Sequence, residues 1–126
     1  IPKEGWHSAE VDSNNPLVEW QWTQKAATIS FRNPKRDATF YLQSDARTDL
    51  FSPPQQVTVT VAGQPLGTFA ADSKDPSLRT FEIKADQFGP ADMTEIVLQV
   101  DRTFSGTTGD SRELGIRVYH MFVEPK

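Results

Sequence analysis

Apolar and polar residues alternate with a period of two along much of the chain. Residues 57–61 read Val-Thr-Val-Thr-Val, and the stretch from Phe81 to Lys84 repeats the alternation with charged residues at the polar positions. Successive side chains of a β-strand point to opposite faces, so this period predicts strands with one buried and one wet face. Similar runs of β-branched and aromatic residues predict further strands at Ile29–Phe31, Phe40–Leu42, Leu66–Phe69, Ile96–Asp101 and Gly115–Val123.

Turn-forming residues fall between these strands. Proline presets φ, and Asn and Asp side chains bond to nearby backbone, which predicts a hairpin connection at Asn33–Asp37. Ala62–Pro65 is predicted to be a tight reversal, and Gly106–Asp110 a glycine-rich loop that leads to the last strand. Helical turns are expected only at Ala85–Phe88 and around Pro90–Met93.

Short, regularly spaced strands without helices between them are typical of a sandwich or a barrel. Parallel strands would need crossover connections of roughly a dozen residues or more, for which the chain has no room. We therefore predict an all-β fold, an antiparallel β-sandwich of about eight strands. Jelly-roll topology is favoured over an immunoglobulin-like one, because the Cys…Trp…Cys spacing of the latter is missing.

Length and composition narrow the classes of function. A chain of 126 residues predicts a single domain, 1–126, that folds without cross-links. It has no cysteine, which argues against a disulfide scaffold, a zinc ribbon and a thiol nucleophile. The net charge of −4, with no basic stripe, argues against nucleic acid as a partner. No apolar run approaches the roughly 20 residues that span a bilayer, so we expect no membrane insertion by this segment.

Catalytic signatures are missing from the sequence. There is no Gly-x-Ser-x-Gly elbow, no Walker-type loop and no His-Glu-x-x-His. Of the two histidines, His120 alternates with Ile116, Val118 and Phe122, which predicts a hydrogen-bonded core residue. A general-base role for His7 would need partners that the sequence does not identify. We expect no catalytic residues and no enzyme activity, and a glycan hydrolase or lyase with two close carboxylates is the alternative.

Two stretches contain oxygen ligands of the kind that calcium prefers. Asp12-Ser13-Asn14-Asn15 lies in a predicted loop, and Asp101, Asp110 and Glu113 surround the last one. Neither has the spacing of an EF-hand loop, and Asx-rich segments are usually turns. We therefore predict no metal site and no cofactor, with a structural calcium left open.

Three tryptophans are candidates for stacking on a sugar ring. Trp20 and Trp22 are two residues apart and point to the same side of a strand, and Trp6 precedes them in the chain. Aromatic faces accept the C–H groups of sugars, while polar groups at the rim bind the hydroxyls. The alternative is that these rings simply fill the sandwich core. Glu19, Gln21 and Thr23, on the opposite side, are predicted to be solvated.

The segment before the last strand offers polar candidates. Asp110 is predicted to close a turn on its own backbone, and the planar fork of Arg112 to clamp a carboxylate such as Asp101 or Glu10. Either this pair only locks the loop, or Asp110 and Arg112 reach a polyol or an anionic sugar. On the last strand Tyr119 alternates with Arg117 and Met121 on a face too apolar for bare solvent. We expect a loop, a ligand or another chain to cover that face.

Several motifs, spread over most of the chain, resemble one family. They are Gly5-Trp6 followed by Glu10, the Trp20-x-Trp22 pair, the Val57–Val61 hairpin that closes at Gly63–Gly67, and the segments Asp101–Phe104 and Gly109–Gly115. In them the chain is similar to the galactose-binding-like jelly-roll domains of bacteria, including those attached to polytopic membrane glycosyltransferases. The resemblance implies a carbohydrate-binding-module-like, non-catalytic domain of bacterial envelope proteins. It also implies an extracytoplasmic location, periplasmic or secreted.

Two hypotheses of function follow from these observations. The first is a carbohydrate-binding or glycan-associated module, with a ligand site formed by Trp6, Trp20, Trp22, Asp110, Arg112 and Tyr119. The second is a structural or protein-interaction domain of an envelope protein without a small ligand, which predicts an exposed apolar patch around Tyr119 and Met121.

Overall fold

Two antiparallel β-sheets form the protein in the computed structural model, which describes residues 1–106 and 109–126. Eight strands in these residues have four or more residues, as predicted. The strands are β1 (Glu10–Val11), β2 (Glu19–Trp22), β3 (Ala26–Arg32), β4 (Ala38–Asp45), β5 (Gln55–Val61), β6 (Gln64–Ala71), β7 (Ser77–Ile83), β8 (Met93–Val100), β9 (Phe104–Ser105), β10 (Glu113–Leu114) and β11 (Arg117–Pro125).

The strand order confirms the predicted jelly-roll sandwich. One sheet has the order β1-β2-β11-β4-β7 and the other the order β3-β8-β5-β6, while β9 and β10 form a separate two-stranded ribbon. All neighbouring strands are antiparallel. Most connections between the long strands pass from one sheet to the other, so strands that are close in sequence face each other across the core.

One predicted turn is confirmed and another is wrong. Ala62 and Gly63 join β5 to β6 in a two-residue hairpin, with φ of 50° and 80°. Asn33–Asp37 is not a hairpin connection, because it joins β3 in one sheet to β4 in the other. The Asn33 side chain instead donates to the carbonyls of Gly89 and Ala91, both at 2.8 Å, which fixes the crossover.

The predicted helical turn at Ala85–Phe88 is confirmed as a 3₁₀ helix, but Pro90–Met93 is not helical, since β8 begins at Met93. Phe88 anchors the 3₁₀ helix by packing into the core, where it is 1% exposed. The described part of the chain contains no helix long and apolar enough to cross a membrane.

The core lies between the inner faces of the two sheets. The alternate residues Val57, Val59 and Val61 of β5 are fully buried, as the period of two predicted. Burial of one such side chain contributes about 1.5–3 kcal/mol. The largest fully buried apolar side chains are Phe40, Phe88, Leu42, Ile83, Ile96, Leu98, Ile116, Val57, Val59, Val61 and Val100.

A β-bulge in β11 reverses the predicted alternation of the last strand. Val118 pairs with Ser44 and His120 with Gln43, so the strand accommodates Tyr119 as an extra residue. Beyond this point the inward and outward positions exchange. The prediction of a core His120 is therefore wrong, because its side chain is exposed, and Phe122 is 54% exposed. Met121, predicted to face outward, packs against the core.

We expect the exchange Ala62→Asn to stabilise the protein by about 0.5–1 kcal/mol, because a left-handed φ is costly for alanine and better tolerated by asparagine. Ala62 is exposed, so the new side chain displaces nothing in the core. The free energy of unfolding in urea measures the effect. A lower stability of the Ala62→Asn variant would contradict the argument.

Candidate functional site

Three adjacent strands bring a charged and aromatic cluster together on the outer face of the five-stranded sheet. Arg117 at the start of β11 pairs with Asp45 at the end of β4 on one side and with Trp22 of β2 on the other. The next residues, Val118 and Ser44, are buried. Because side chains alternate along a strand, Asp45, Arg117 and Trp22 therefore share the opposite face.

Arg117, Asp45 and Tyr119 form a hydrogen-bonded group that we call the Asp45 network. The Arg117 guanidinium donates from Nε to Oδ1 of Asp45 at 2.8 Å and from Nη2 to Oδ2 at 2.6 Å. The Tyr119 hydroxyl donates to Oδ2 at 2.6 Å. The Asp45 side chain is 1% exposed and that of Arg117 is 29% exposed. Both carboxylate oxygens of Asp45 are thus hydrogen-bonded to Arg117 or Tyr119, which gives this side chain a structural role.

The Asp45 network also orients the aromatic rings. The guanidinium carbon of Arg117 lies 4.9 Å from the ring centre of Trp20, 5.6 Å from that of Tyr119 and 5.7 Å from that of Trp22. At these distances a cation is attracted to an aromatic face. Trp20 and Tyr119 contact each other at 6.2 Å between ring centres. Trp20 and Trp22 therefore flank one cation, on the same side of β2 as predicted.

Arg117 and Tyr119 of the Asp45 network keep their ordinary protonation states near neutral pH. Burial lowers the pKa of Arg117, but the hydrogen bonds and charge of Asp45 outweigh burial and the pKa is raised. Burial raises the pKa of the Tyr119 phenol, and the Asp45 hydrogen bond and charge raise it further. Arg117 is therefore a cation and Tyr119 a neutral hydrogen-bond donor near neutral pH.

A groove of about 530 Å³ opens where β2 diverges from β11. The two strands pair only at Trp22–Arg117 and Gln21–Val118, and beyond these pairs they separate. The groove combines the aromatic rings of Trp20 and Tyr119 with amide, carboxylate and imidazole side chains. We call it the β2–β11 groove, and its lining is Leu17, Val18, Glu19, Trp20, Gln21, Gln43, Pro76, Val118, Tyr119 and His120.

Trp20 has an unused donor at this groove. Its Nε1 is buried, and no hydrogen-bond partner for it lies among the described residues. A buried N–H without a partner costs about 1–3 kcal/mol. Because this nitrogen is buried, a ligand in the groove would contact the ring of Trp20 and not its N–H.

The sequence predicts that Glu19, Gln21 and Thr23, on the side of β2 opposite the tryptophans, are solvated. This prediction is correct for one residue of the three. Glu19 is exposed and Gln21 is half-buried. Thr23 is fully buried, and its hydroxyl accepts the backbone N–H of Ile116, the residue before β11, at 3.1 Å.

Asp110 and Arg112 form a second cluster, with the partner that the sequence suggested. Arg112 donates to both oxygens of Asp110, at 2.9 and 2.8 Å, and to Glu10 at 3.1 Å. The backbone N–H of Arg112 donates to Asp110 as well, at 3.1 Å. Asp101, the other predicted partner, instead accepts from Arg102 and from the backbone of Gln56. The arrangement locks the segment onto β1, and we call it the Arg112 clamp.

A second cavity, of about 300 Å³, lies beside the Arg112 clamp. Trp22 packs there edge-on against Phe104 at 5.5 Å between ring centres. The Trp22 side chain is nearly buried, at 8% exposure, so little of its ring is open to a ligand. Of the predicted loop Gly106–Asp110, residues 107 and 108 lie outside the described residues. The cavity is lined by Trp22, Arg47, Leu50, Phe104, Ser105, Gly106, Asp110, Arg112 and Leu114.

We expect acid to erase the contribution of the Arg112 clamp to stability. The hydrogen bonds from Arg112 lower the pKa of Asp110 from 3.8 to about 2. A carboxylate with a lower pKa in the folded state stabilises the fold above its unfolded pKa, and this contribution is lost as the pH falls through about 2. Asp110→Asn should therefore be less stable than the native chain at pH 7, and the difference should shrink as the pH falls from about 4 through about 2, as urea unfolding at several pH values would show.

The matched control for this titration is Asp86→Asn, at an exposed carboxylate of the 3₁₀ helix. Its effect on stability should vary less between pH 7 and pH 2 than that of Asp110→Asn. An equal pH dependence of the two variants would contradict the clamp.

Trp6 lies apart from both clusters. Its indole N–H donates to the carbonyl of Thr28 at 2.8 Å, and its ring packs against the core. A backbone bridge joins Trp6 to Thr23. These contacts give it a structural role. The six predicted ligand residues thus lie in three places. Trp20 and Tyr119 line the β2–β11 groove, Trp22 lies beside Asp110 and Arg112, and Trp6 lies apart. Ligand contact stays a prediction for all six.

The acidic loop is explained by turns. Asp12 accepts the backbone N–H groups of Asn14 and Asn15 at 2.7 and 3.2 Å, and Asn15 accepts that of Leu17 at 3.1 Å. Among the residues described here, no three His, Cys, Asp or Glu side chains are grouped to hold a metal ion. The side chains present therefore do not fit a calcium site of clustered carboxylates.

Known structures share this fold. A CBM36 carbohydrate-binding module in complex with calcium and xylotriose aligns with 98% of the chain and 92% of its own, at 12% identity and a TM-score of 0.55. The CBM36-1 domain of a multidomain xylanase from the hindgut metagenome of Trinervitermes trinervoides aligns with 99% of the chain and 90% of its own, at 11% identity and a TM-score of 0.57. The chain shares its β-sandwich fold with these two modules.

The same sandwich occurs inside a larger enzyme. A family GH115 4-O-methyl-α-glucuronidase with specificity for decorated arabinogalactans matches 99% of the chain, at 14% identity and a TM-score of 0.62. The chain spans 16% of that enzyme's length. No protein-family model and no curated protein matches the sequence.

Two residues of the central cluster were not predicted as site residues. Arg117 was assigned to the outward face, but its contact with both tryptophans depends on the pairing of β2 with β11. Asp45 carries no local signal at all, because only its register with Arg117 shows why a carboxylate is buried there.

Proposed function

We propose that this chain is a non-catalytic carbohydrate-binding module that binds a glycan in the β2–β11 groove. The observation that carries the proposal is the combination, in one groove of about 530 Å³, of two aromatic rings with a rim of polar side chains. The carbohydrate-binding-module fold of the chain supports it.

Sugars present C–H groups on their faces and hydroxyls at their edges, and the groove offers partners for both. The rings of Trp20 and Tyr119 offer apolar faces, with the Tyr119 hydroxyl occupied by Asp45. Gln43 and Glu19 supply amide and carboxylate groups that bind hydroxyls. Gln21 also lines the groove, but its amide nitrogen donates to the His7 carbonyl at 3.0 Å. A neutral glycan satisfies these groups without bringing charge into the groove.

Binding without catalysis fits the acidic residues of the groove. Glycoside hydrolysis needs a pair of carboxylates that flank the scissile bond. In the described lining of the groove Glu19 is the one carboxylate, and both oxygens of nearby Asp45 are bonded to Arg117 and Tyr119. Calcium is named with the CBM36 structure, but in residues 1–106 and 109–126 no three acidic or histidine side chains group to hold it, so we propose calcium-independent binding.

The wider context of the module is part of the proposal. The motifs shared with galactose-binding-like domains support one domain, residues 1–126, in an extracytoplasmic protein of the bacterial envelope, such as a glycosyltransferase. Fractionation of a source organism, with detection of the chain in the periplasm or the medium, tests this location.

A glycan array followed by calorimetric titration of each hit tests the function. We expect at least one neutral glycan to bind, with equal affinity in calcium and in EDTA, and Gln43→Ala to weaken binding. The control Gln87→Ala changes an amide of the 3₁₀ helix, whose side chain accepts the backbone N–H of Lys84, and should leave affinity unchanged. Binding to no glycan on a broad array would reject the proposal.

A further inference from the structure

The second half of β11 is an open strand edge. Its pairing with β2 ends at Val118, whereas its pairing with β4 continues to Pro125. Alternate residues of an unpaired edge point their N–H and C=O groups outward, where another strand can bond to them. The corresponding edge of the opposite sheet is covered, because residues 1–4 hydrogen-bond along β3 at Thr28 and Ser30.

Apolar surface accompanies this open edge. Phe122 is 54% exposed and stacks on Tyr41, with 5.0 Å between ring centres and 13° between planes. On the other face of the strand, Met121 and Val123 line an apolar groove of about 320 Å³ together with Ile29. An unpaired strand edge with apolar side chains on both faces is a surface on which another β-strand can pair. The sequence predicts an exposed apolar patch around Tyr119 and Met121. The exposed apolar side chain is instead Phe122, since Met121 faces inward and the Tyr119 hydroxyl binds Asp45.

The sequence of the edge is complementary to itself. If two antiparallel copies of β11 pair around Phe122, each His120 faces Glu124 of the second copy, and Phe122 faces Phe122. On the inner face Met121 faces Val123 of the second copy. Each of these is a favourable cross-strand pair, aromatic with aromatic, imidazole with carboxylate, and apolar with apolar. The same register sets Pro125 of the second copy opposite Tyr119, so the added strand occupies the stretch that β2 leaves open.

We propose that two copies of this chain associate through antiparallel pairing of their β11 edges about a two-fold axis at Phe122. A two-fold interface requires a patch that complements itself, which this edge provides. The two five-stranded sheets then become one continuous sheet. The interface shares Tyr119 and His120 with the lining of the β2–β11 groove, so the second copy and a glycan would compete for this stretch, and the test of association contains no glycan.

Sedimentation velocity over a wide range of protein concentration tests the association. We expect a reversible monomer–dimer equilibrium, and Phe122→Glu should raise the dimer dissociation constant by roughly tenfold or more, because it sets two like charges opposite each other. The control is Leu78→Glu, since Leu78 is 60% exposed on β7, and it should leave the dimer intact. A folded monomer at every concentration, or a dimer that Phe122→Glu does not weaken, overturns the proposal.

A cysteine variant tests the register. The chain has no native cysteine, and residues directly opposite in an antiparallel pair have Cα atoms about 4.5–5.5 Å apart, which suits a disulfide. Phe122→Cys should form a covalent dimer on mild oxidation, at least several times faster than Leu78→Cys at equal concentration. Equal rates for the two variants would contradict pairing at Phe122.

Discussion

Removal of the Asp45 carboxylate should lower the free energy of unfolding by about 2–4 kcal/mol. Breaking a buried ion pair typically costs about 3–5 kcal/mol, because the remaining charge stays buried without a partner. The Arg117 side chain is 29% exposed, so water partly compensates it. The Tyr119 hydroxyl loses its acceptor at the same time. Urea unfolding of Asp45→Ala, followed by circular dichroism, measures the loss.

Two further variants separate the network from a general effect of removing an acid. Asp49→Ala removes an exposed carboxylate that pairs with Arg47, and it should cost much less stability than Asp45→Ala, because water screens an exposed ion pair. Asp45→Ala combined with Arg117→Met removes both charges, and the pair should cost less than the sum of the single changes. A loss below about 1 kcal/mol for Asp45→Ala would contradict the account of the network.

Truncation of Trp20 should weaken glycan binding by about 30-fold or more. A side chain at the centre of a binding site commonly contributes about 2 kcal/mol or more, which corresponds to that factor. Trp20→Ala removes the ring that borders the groove together with its indole donor. Calorimetric titration with the best ligand from the array gives the change in affinity, and circular dichroism shows whether the variant is folded.

Trp6 provides the matched control. Trp6→Phe deletes the indole bond to Thr28 but keeps an aromatic ring against the core. It should lower stability by about 0.5–1.5 kcal/mol and leave affinity unchanged. Equal loss of affinity in the Trp6 and Trp20 variants would show that neither effect comes from the groove.

The fold was largely predictable because its signals are local. The alternation Val57–Val61 places three valines in the core, and Ala62-Gly63 closes the hairpin that follows. The connection Asn33–Asp37 shows the limit of such signals. Its residues are typical of turns, but whether a turn joins neighbours in one sheet or crosses to the other depends on packing of the whole sandwich.

The last strand shows a second limit. A β-bulge adds one residue without a mark in the sequence, and every position beyond it changes face. His120 and Met121 were therefore assigned to the wrong sides. The exposed Phe122 follows from the same shift.

The sequence predicted several residues of the candidate site, but not which of them lie together. Trp20 and Tyr119 were both candidates, yet their contact depends on the pairing of β2 with β11, which are almost a chain length apart. The bond from Arg112 to Glu10 was predicted because carboxylate and guanidinium are natural partners. Asp45 was missed because its partner is 72 residues away.

The central claim, that a glycan binds in the β2–β11 groove, is tested most directly by NMR of the indole N–H groups. The chain has three tryptophans, so each indole signal can be assigned with single Trp→Phe variants. During titration with the glycan we expect the Trp20 signal to move the most, since the ring of Trp20 borders the bound glycan. The Trp6 signal, already bonded to Thr28, should stay in place. A bound glycan that leaves the Trp20 signal unmoved would contradict the account.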